Sequence, residues 1–415
     1  MREIEKGRRP PRVLAVGYNG ANNTGAEALL QADLTDLRAV LGPEATVNVP
    51  TLSEENLRRY LTESPTLHIT RMPTVFLAKV RRLVRRHDLV ILVEGSTFMD
   101  TWGSALLWYF LWAAHCAHAL GKPCLAYAVD AGSLSPRNRR LVGRVASGLD
   151  LVVARSQAAA ERLRACGVTA SIEVTADNAF TFEPDPADAD FLGRAWPEAS
   201  GGKVGIAVVD FYLWPVVARP WGKREDRYKW PYFFSRSPER ARATGILAAT
   251  YAEVADWLIE RGESVALICM EEVDEPLARE VERRMRRPEH SRVFSSREHN
   301  ASQMTFLLRS LDLLVTSRYH AAVLSLAAAV PQIAVGHDLR LLSLYEEIGL
   351  RERCFLDPSS PDLGRTLRER IEALLYDPTP VRSLLRQAHG GLLARARHNR
   401  EILSAFLTVH GWGPG

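Results

Sequence analysis

The sequence has no CxxC pair and no metal-ligand spacing, and only five cysteines, Cys116, Cys124, Cys166, Cys269 and Cys354. An odd, unpatterned set argues against a disulfide framework and a zinc site, and reads as the reduced thiols of a cytoplasmic protein. Charge of one sign is also scarce: the formal net charge is +4 over 415 residues. Clusters such as KVRRLVRRH (79–87) and RRMRRPEH (283–290) read as solvated helix faces, so no nucleic-acid partner is expected. Long apolar runs are missing too. The opening MREIEKGRRPPRVLAV holds an apolar stretch only a strand long, which gives no signal-peptide core. The most hydrophobic span, 104–121, carries His115 and His118. It is read as a core or membrane-surface helix, which leaves room for peripheral membrane contact but not for a crossing.

What is present is material for a large core: 47% of residues are apolar and 25% charged. Short apolar runs at 12–19, 46–49, 88–93, 124–129, 149–154 and 171–175 alternate with helical spacing at 25–41, 74–86, 101–120, 136–147 and 156–166. The pattern repeats with strands at 203–209, 264–270, 292–295, 311–316 and 331–336. Alternation of this kind predicts parallel sheets covered on both faces. The expected fold is α/β, with two Rossmann-like domains facing a cleft: 1–182, a Pro/Asp/Gly-rich linker at 183–203, and 204–365. A helical segment, 366–415, is expected to cross back to the first domain.

Ligands of such sheets collect beyond the carboxyl ends of the strands, so four loops matter. GYNGANNTGAEALL (17–30) offers Gly17, Gly20 and Gly25 beside Asn22, Asn23 and Thr24, a turn able to meet an anion or simply to join strand to helix. Its spacing is not that of a dinucleotide site. VEGSTFMDTWG (93–103) puts Glu94 at a strand end, placed to bind a sugar hydroxyl or accept its proton, while Ser96 or Thr97 could cap the next helix. In DLVVARSQAAAERL (150–163), Arg155 ends an apolar strand and needs an anion, either a ligand or an internal acid. In TSRYH (316–320), Arg318 and His320 open a helix at the matching point of the second half. Alone, His320 reads as a cap or core histidine; with two strand-end arginines it describes a site for a small polyanion that must be protonated.

In order, these loops resemble those of the polysaccharide pyruvyltransferase family. NNTGAEA (22–28) is similar to its GNxGDEA loop, VEGSTFMD to its glycine-rich strand end, and ARSQAAAERL to its Arg-led segment. ADNAF (176–180), TSRYH and HDLR (337–340) follow in register. The resemblance implies a GT-B-like pair of Rossmann-like domains that transfers a pyruvyl group from phosphoenolpyruvate, the co-substrate, to a sugar or glycosylated acceptor as a ketal. No cofactor and no metal are implied. Carried over by position, it assigns the acid to His320 and the donor to Arg155 and Arg318; beside these, Glu94 is expected as a second catalytic residue on the acceptor side, Arg340 and Ser317 at the donor, and Asn23, Thr24, Gly25, Glu27, Ser96 and Asp177 at the acceptor. The sequence departs from the family where Ala26 replaces Asp, Val93 and Glu94 replace glycines, Tyr319 replaces Leu and Arg340 replaces Lys. A GT-B-like glycosyltransferase using a nucleotide sugar is the competing expectation, and a catalytically silent glycan-binding descendant a third. Outside the resemblance, 210–238 interleaves aromatics with cations, which suits stacking on a sugar or nucleobase, or a contact between domains or subunits of a homo-oligomer.

Overall fold

The computed structural model describes residues 10–412, so the segment before Pro10, with its signal-peptide expectation, lies outside the described residues. Seven strands form the first sheet: β1 (Arg12–Val16), β2 (Thr46–Thr51), β3 (Leu67–Arg71), β4 (Leu89–Leu92), β5 (Cys124–Val129), β6 (Leu151–Ala154) and β7 (Ile172–Val174). All pair in parallel, in the order β3-β2-β1-β4-β5-β6-β7. Helices cover both faces, so the central strands β1, β4 and β5 are apolar along their length rather than alternating.

The second sheet comprises β8 (Lys203–Ala207), β12 (Ser264–Cys269), β13 (Ser291–Ser295), β14 (Leu313–Thr316), β15 (Gln332–Val335) and β16 (Phe355–Leu356), in the order β13-β12-β8-β14-β15-β16. Between β8 and β12 lies a small antiparallel sheet of β9 (Val216–Ala218), β10 (Arg227–Lys229) and β11 (Tyr232–Phe234). The fold is therefore α/β with two Rossmann-like sheets, as expected. Each sheet reverses its strand order once, between β1 and β4 and between β8 and β14, and the loops after those strands face one cleft.

Segment 183–203 is not a free tether. Phe191, Leu192 and Trp196 are buried in the core of the second half, because the short helix Phe191–Ala195 presents its apolar side to helix Ala301–Arg309 and β13. The chain's last helix, Thr379–Val409, does cross back. Leu385, Leu392 and Ala396 belong to the second core, whereas Leu403, Phe406 and Leu407 pack with Leu30, Leu34 and Leu37 of the first. Asn399 donates to the Ala176 carbonyl at 3.0 Å, and Arg400 pairs with Asp36 at 2.7 Å. Helix Ser104–Ala119, the hydrophobic span of the sequence, buries Leu107, Phe110 and Leu111 against the first sheet. Among the described residues no helix is long and apolar enough to cross a membrane.

Candidate active site

The cleft is walled from three directions. The first domain supplies Tyr18 after β1, Asn23 and Gly25 at the start of helix Thr24–Leu41, and Glu94 and Ser96 after β4. Glu271, Arg318, His320 and Arg340 enter from the second, and Trp214, Tyr228, Lys229 and Tyr232 from the antiparallel sheet. That small sheet is a flap. Its Val216 amide donates to the Trp102 carbonyl at 2.9 Å, Tyr232 Oη to the Thr74 carbonyl at 3.0 Å, and Lys229 Nζ to the Leu52 carbonyl at 3.2 Å. The Tyr18 and Tyr228 phenols share a hydrogen bond, and Tyr18 reaches Glu271 at 3.2 Å. Burial pushes both phenols above their ordinary range, helped by the Glu271 charge, so they stay protonated and able to donate.

Arg318 lies in the cleft wall as expected, but not as a bare cation. Its Nε donates to Asp274 Oδ2 at 2.8 Å, Nη2 to the other oxygen of Asp274, and Nη1 to Glu271 at 3.0 Å. A guanidinium carries five N–H groups, so these three bonds leave two for a ligand. Burial pushes the Asp274 carboxyl up to about 7 against the opposing pull of Arg318. Arg340, also in the wall, is held by Asp338 and lies over the Trp102 ring at 5.3 Å, joining the two domains.

Arg155 corrects the sequence reading. Its side chain is 0% exposed and does not line the cleft; Nε donates to Asp130 at 2.8 Å, Nη1 to Asp177, and the guanidinium stacks on Tyr319 at 4.1 Å. The internal acid, not a ligand, answers its charge. Asp177 likewise lies behind the wall. Burial opposes its ionisation, but Arg155 and then His320 outweigh it and hold the carboxyl below the usual range. Asp177 Oδ2 stands 3.6 Å from His320 Nε2, which is buried with no hydrogen-bond partner. The result is a row, Asp130, Arg155, Asp177, His320, that delivers a counter-ion to an imidazole at the cleft. Two glycines make it possible: a Cβ on Gly95 would strike Arg155 Nη1, and one on Gly25 would strike His320 Nδ1.

Three other expected residues turn away from the cleft. Ser317 is buried with its hydroxyl 3.1 Å from Tyr251 Oη. Thr24 gives its amide to the Met270 carbonyl across the domain boundary, and Glu27 Oε2 accepts the Ala301 amide at 3.1 Å. Both sit on the helix side that meets the second domain, each next in the chain to a cleft-facing residue, Asn23 or Ala26. Ser96 and Thr97 cap no helix, since the next one begins at Ser104; the Ser96 amide and hydroxyl instead donate to Glu94 Oε1, and the Tyr18 amide to Oε2. Those donors fix the Glu94 carboxylate at the cleft wall.

Tyr18, Tyr228, Lys229 and Glu271 were not singled out by sequence. Tyr228 and Lys229 lie inside the aromatic and cationic stretch 210–238, which was the available signal. Lys229 is notable because, among the described residues, no carboxylate pairs with it; burial, then Arg71, lowers its pKa.

Two Rossmann-like domains with a shared cleft at their carboxyl edges make a GT-B-like fold. In the same fold class, the chain is similar to UDP-GlcNAc 2-epimerase from Neisseria meningitidis, solved with UDP-GlcNAc (TM-score 0.62, 11% identity, 96% of this chain and 100% of that one). It is also similar to HepE from Anabaena, solved with UDP-glucose (0.59, 15%, 96% and 100%), and to sucrose-phosphate synthase from Thermosynechococcus elongatus (0.57, 12%, 97% and 99%). Residues 23–338 match the polysaccharide pyruvyl transferase family. The chain belongs to that family and is an enzyme of the pyruvyltransferase class.

Proposed function

We propose that the protein moves a pyruvyl group from phosphoenolpyruvate to two hydroxyls of a sugar or glycosylated acceptor, closing a ketal. The observation that carries this reading is the meeting of Arg318, with two uncommitted N–H groups, His320, backed by Asp177, and Glu94 from the opposite domain in one cleft. Arg318 and Lys229 hold the donor's anionic groups. His320 gives its proton to the methylene carbon, which leaves positive charge on the adjoining carbon. An acceptor hydroxyl adds there and passes its proton to Glu94. The bond from that carbon to the phosphate oxygen then breaks, a second hydroxyl adds, and its proton departs with inorganic phosphate. Arg155 has no contact with the reactants in this scheme; it positions Asp177, and Arg340 braces the wall through Asp338 and Trp102.

Phosphoenolpyruvate alone is expected to raise the melting temperature, because it binds the folded state. With an acceptor it should release phosphate, and His320→Ala should cut that release by about 10²–10⁴-fold, the usual contribution of a general acid, without loss of fold. Stabilisation by a nucleotide sugar but not by phosphoenolpyruvate would overturn the reading, as would full turnover by His320→Ala.

A further inference from the structure

The two basic clusters of the sequence, both expected to be solvated helix faces, differ in what answers their charge. In 283–290 every arginine is paired: Arg283 and Arg284 with Glu280 at 2.6 Å, Arg286 with Glu260 at 2.8 Å and Asp256 at 3.2 Å, and Arg287 with Glu289 at 3.6 Å. On helix Leu77–Arg86, by contrast, the side chains of Lys79, Arg81, Arg82, Arg85 and Arg86 make no ion pair or hydrogen bond to any described residue. The same holds for Arg137, Arg139, Arg140 and Arg144 on helix Pro136–Ala146. Lys79 is half-buried and the others are exposed.

These two helices flank helix Ser104–Ala119 on one face of the first sheet, where Val80, Leu83, Leu107, Phe110, Val142 and Ala146 share a core with β1 and β4. None of the three contains an aspartate or glutamate. The acids at the helix ends answer other groups: Asp88 pairs with Arg12 at 3.1 Å, Asp100 accepts the Ser135 amide at 2.9 Å and Asn138 Nδ2 at 2.8 Å, and Asp150 accepts the Cys124 amide at 2.7 Å. Because the whole chain carries only +4, the rest of the molecule is net acidic and positive charge is concentrated on this face.

The face also has an apolar part. Val75, Leu77 and Trp108 are exposed, at the starts of helices Leu77–Arg86 and Ser104–Ala119. The Trp108 ring nitrogen donates to Asn138 at 3.0 Å and that of Trp112 to the Leu77 carbonyl at 2.8 Å. Those bonds tie the three helices together and leave the outer indole surface with no polar group to satisfy. A nucleic acid would answer the cations but gain nothing from Val75 and Leu77. A bilayer with anionic headgroups uses both parts, meeting the guanidinium groups with phosphates and receiving indole and aliphatic groups in its interfacial layer.

We propose that these three helices form a docking face for an anionic lipid bilayer, on which the protein rests at the surface. The inference does not depend on the transfer reading.

The test sediments the full chain with vesicles of phosphatidylcholine alone, or of phosphatidylcholine and phosphatidylglycerol in equal parts. Partition should require the anionic lipid and weaken as salt is raised, because exposed charges are screened. Each cation near such a surface contributes roughly fivefold, so the combined variant Arg81→Gln, Arg82→Gln, Arg85→Gln, Arg86→Gln should lose at least about tenfold. The matched control Arg283→Gln, Arg284→Gln, Arg286→Gln, Arg287→Gln removes as much charge from the paired cluster and should keep its binding. Hydrogen exchange of the unaltered protein covers the case in which a variant fails to fold: vesicles should protect helices Leu77–Arg86 and Pro136–Ala146 and not helix Glu275–Arg284. Equal partition onto neutral and anionic vesicles overturns the proposal. So do an equal loss in the control variant, protection confined to other faces, and capture of a mixed-sequence RNA in preference to vesicles.

Discussion

Gly25 is not in the left-handed region; it is glycine because the imidazole of His320 occupies the space where a side chain would start. An alanine there must displace either the ring or the helix end that Asn23 caps through its 3.0 Å bond to the Ala26 amide. Gly25→Ala should therefore cost about 1–3 kcal/mol, the usual cost of overpacking, and turnover with it. In the background of His320→Ala the same change should cost less, because the ring is gone and only the Cβ of residue 320, 2.8 Å from the new methyl, still crowds it. Chemical denaturation of the four proteins in that cycle measures the coupling; additive costs would show that the close approach is not what constrains position 25. At this scale the sequence was readable where chemistry sits at a strand end and faces outward, as for Glu94, Arg318 and His320. It was misread at Arg155, whose partners Asp130 and Asp177 come from two other loops. A one-dimensional pattern shows that a buried arginine needs an anion, not which anion supplies it.

Among the elements, the flap of β9, β10 and β11 departs most from expectation. Its residues looked like a loop because each strand is only three residues long and Pro215 and Pro231 interrupt the apolar pattern. β3 was also unreadable: LHITR alternates polar and apolar residues like any edge strand and lacks the continuous apolar run of the central strands. Helix Thr24–Leu41 was legible almost to the residue because it begins at the capping Asn23, whereas Ser104–Ala119, expected from 101, has no side-chain cap to mark its start. The flap is anchored to the first domain by few bonds, so each has a visible share in closing it. Removing the phenol that Tyr228 shares with Tyr18 should loosen it by about 1 kcal/mol, the net worth of one hydrogen bond. Hydrogen exchange of Tyr228→Phe should then quicken about fivefold at Val216, whose amide bonds to Trp102, with no change in β8 or β12. Uniform acceleration across the second sheet would mean that the flap does not open as a unit.

On the scale of the whole molecule, the two-sheet plan was legible because parallel sheets leave such a regular alternation, whereas the way the halves hold each other was not. That grip depends on side chains that look functional in sequence. Glu27 reaches the start of helix Ala301–Arg309, and burial, opposed by Arg59 and the Ala301 amide, pushes its carboxyl up to about 8. A carboxyl raised on folding stabilises the native state most below its unfolded value near 4.5 and loses that contribution as pH climbs toward 8. Glu27→Gln should therefore melt roughly 2–4 °C above the parent at pH 9, with the gap closing toward pH 5. A gap that widens on acidification would show that Glu27 is held as a carboxylate.

The helix Thr379–Val409 has a consequence for how the molecule is made. Translation delivers the first sheet early, yet the groove that receives Leu403, Phe406 and Leu407 stays open until this helix, which follows the whole second sheet in the chain, has been made. The half that is synthesised first is thus sealed only after the second sheet is complete, and a nascent chain halted after β16 would carry that groove uncovered.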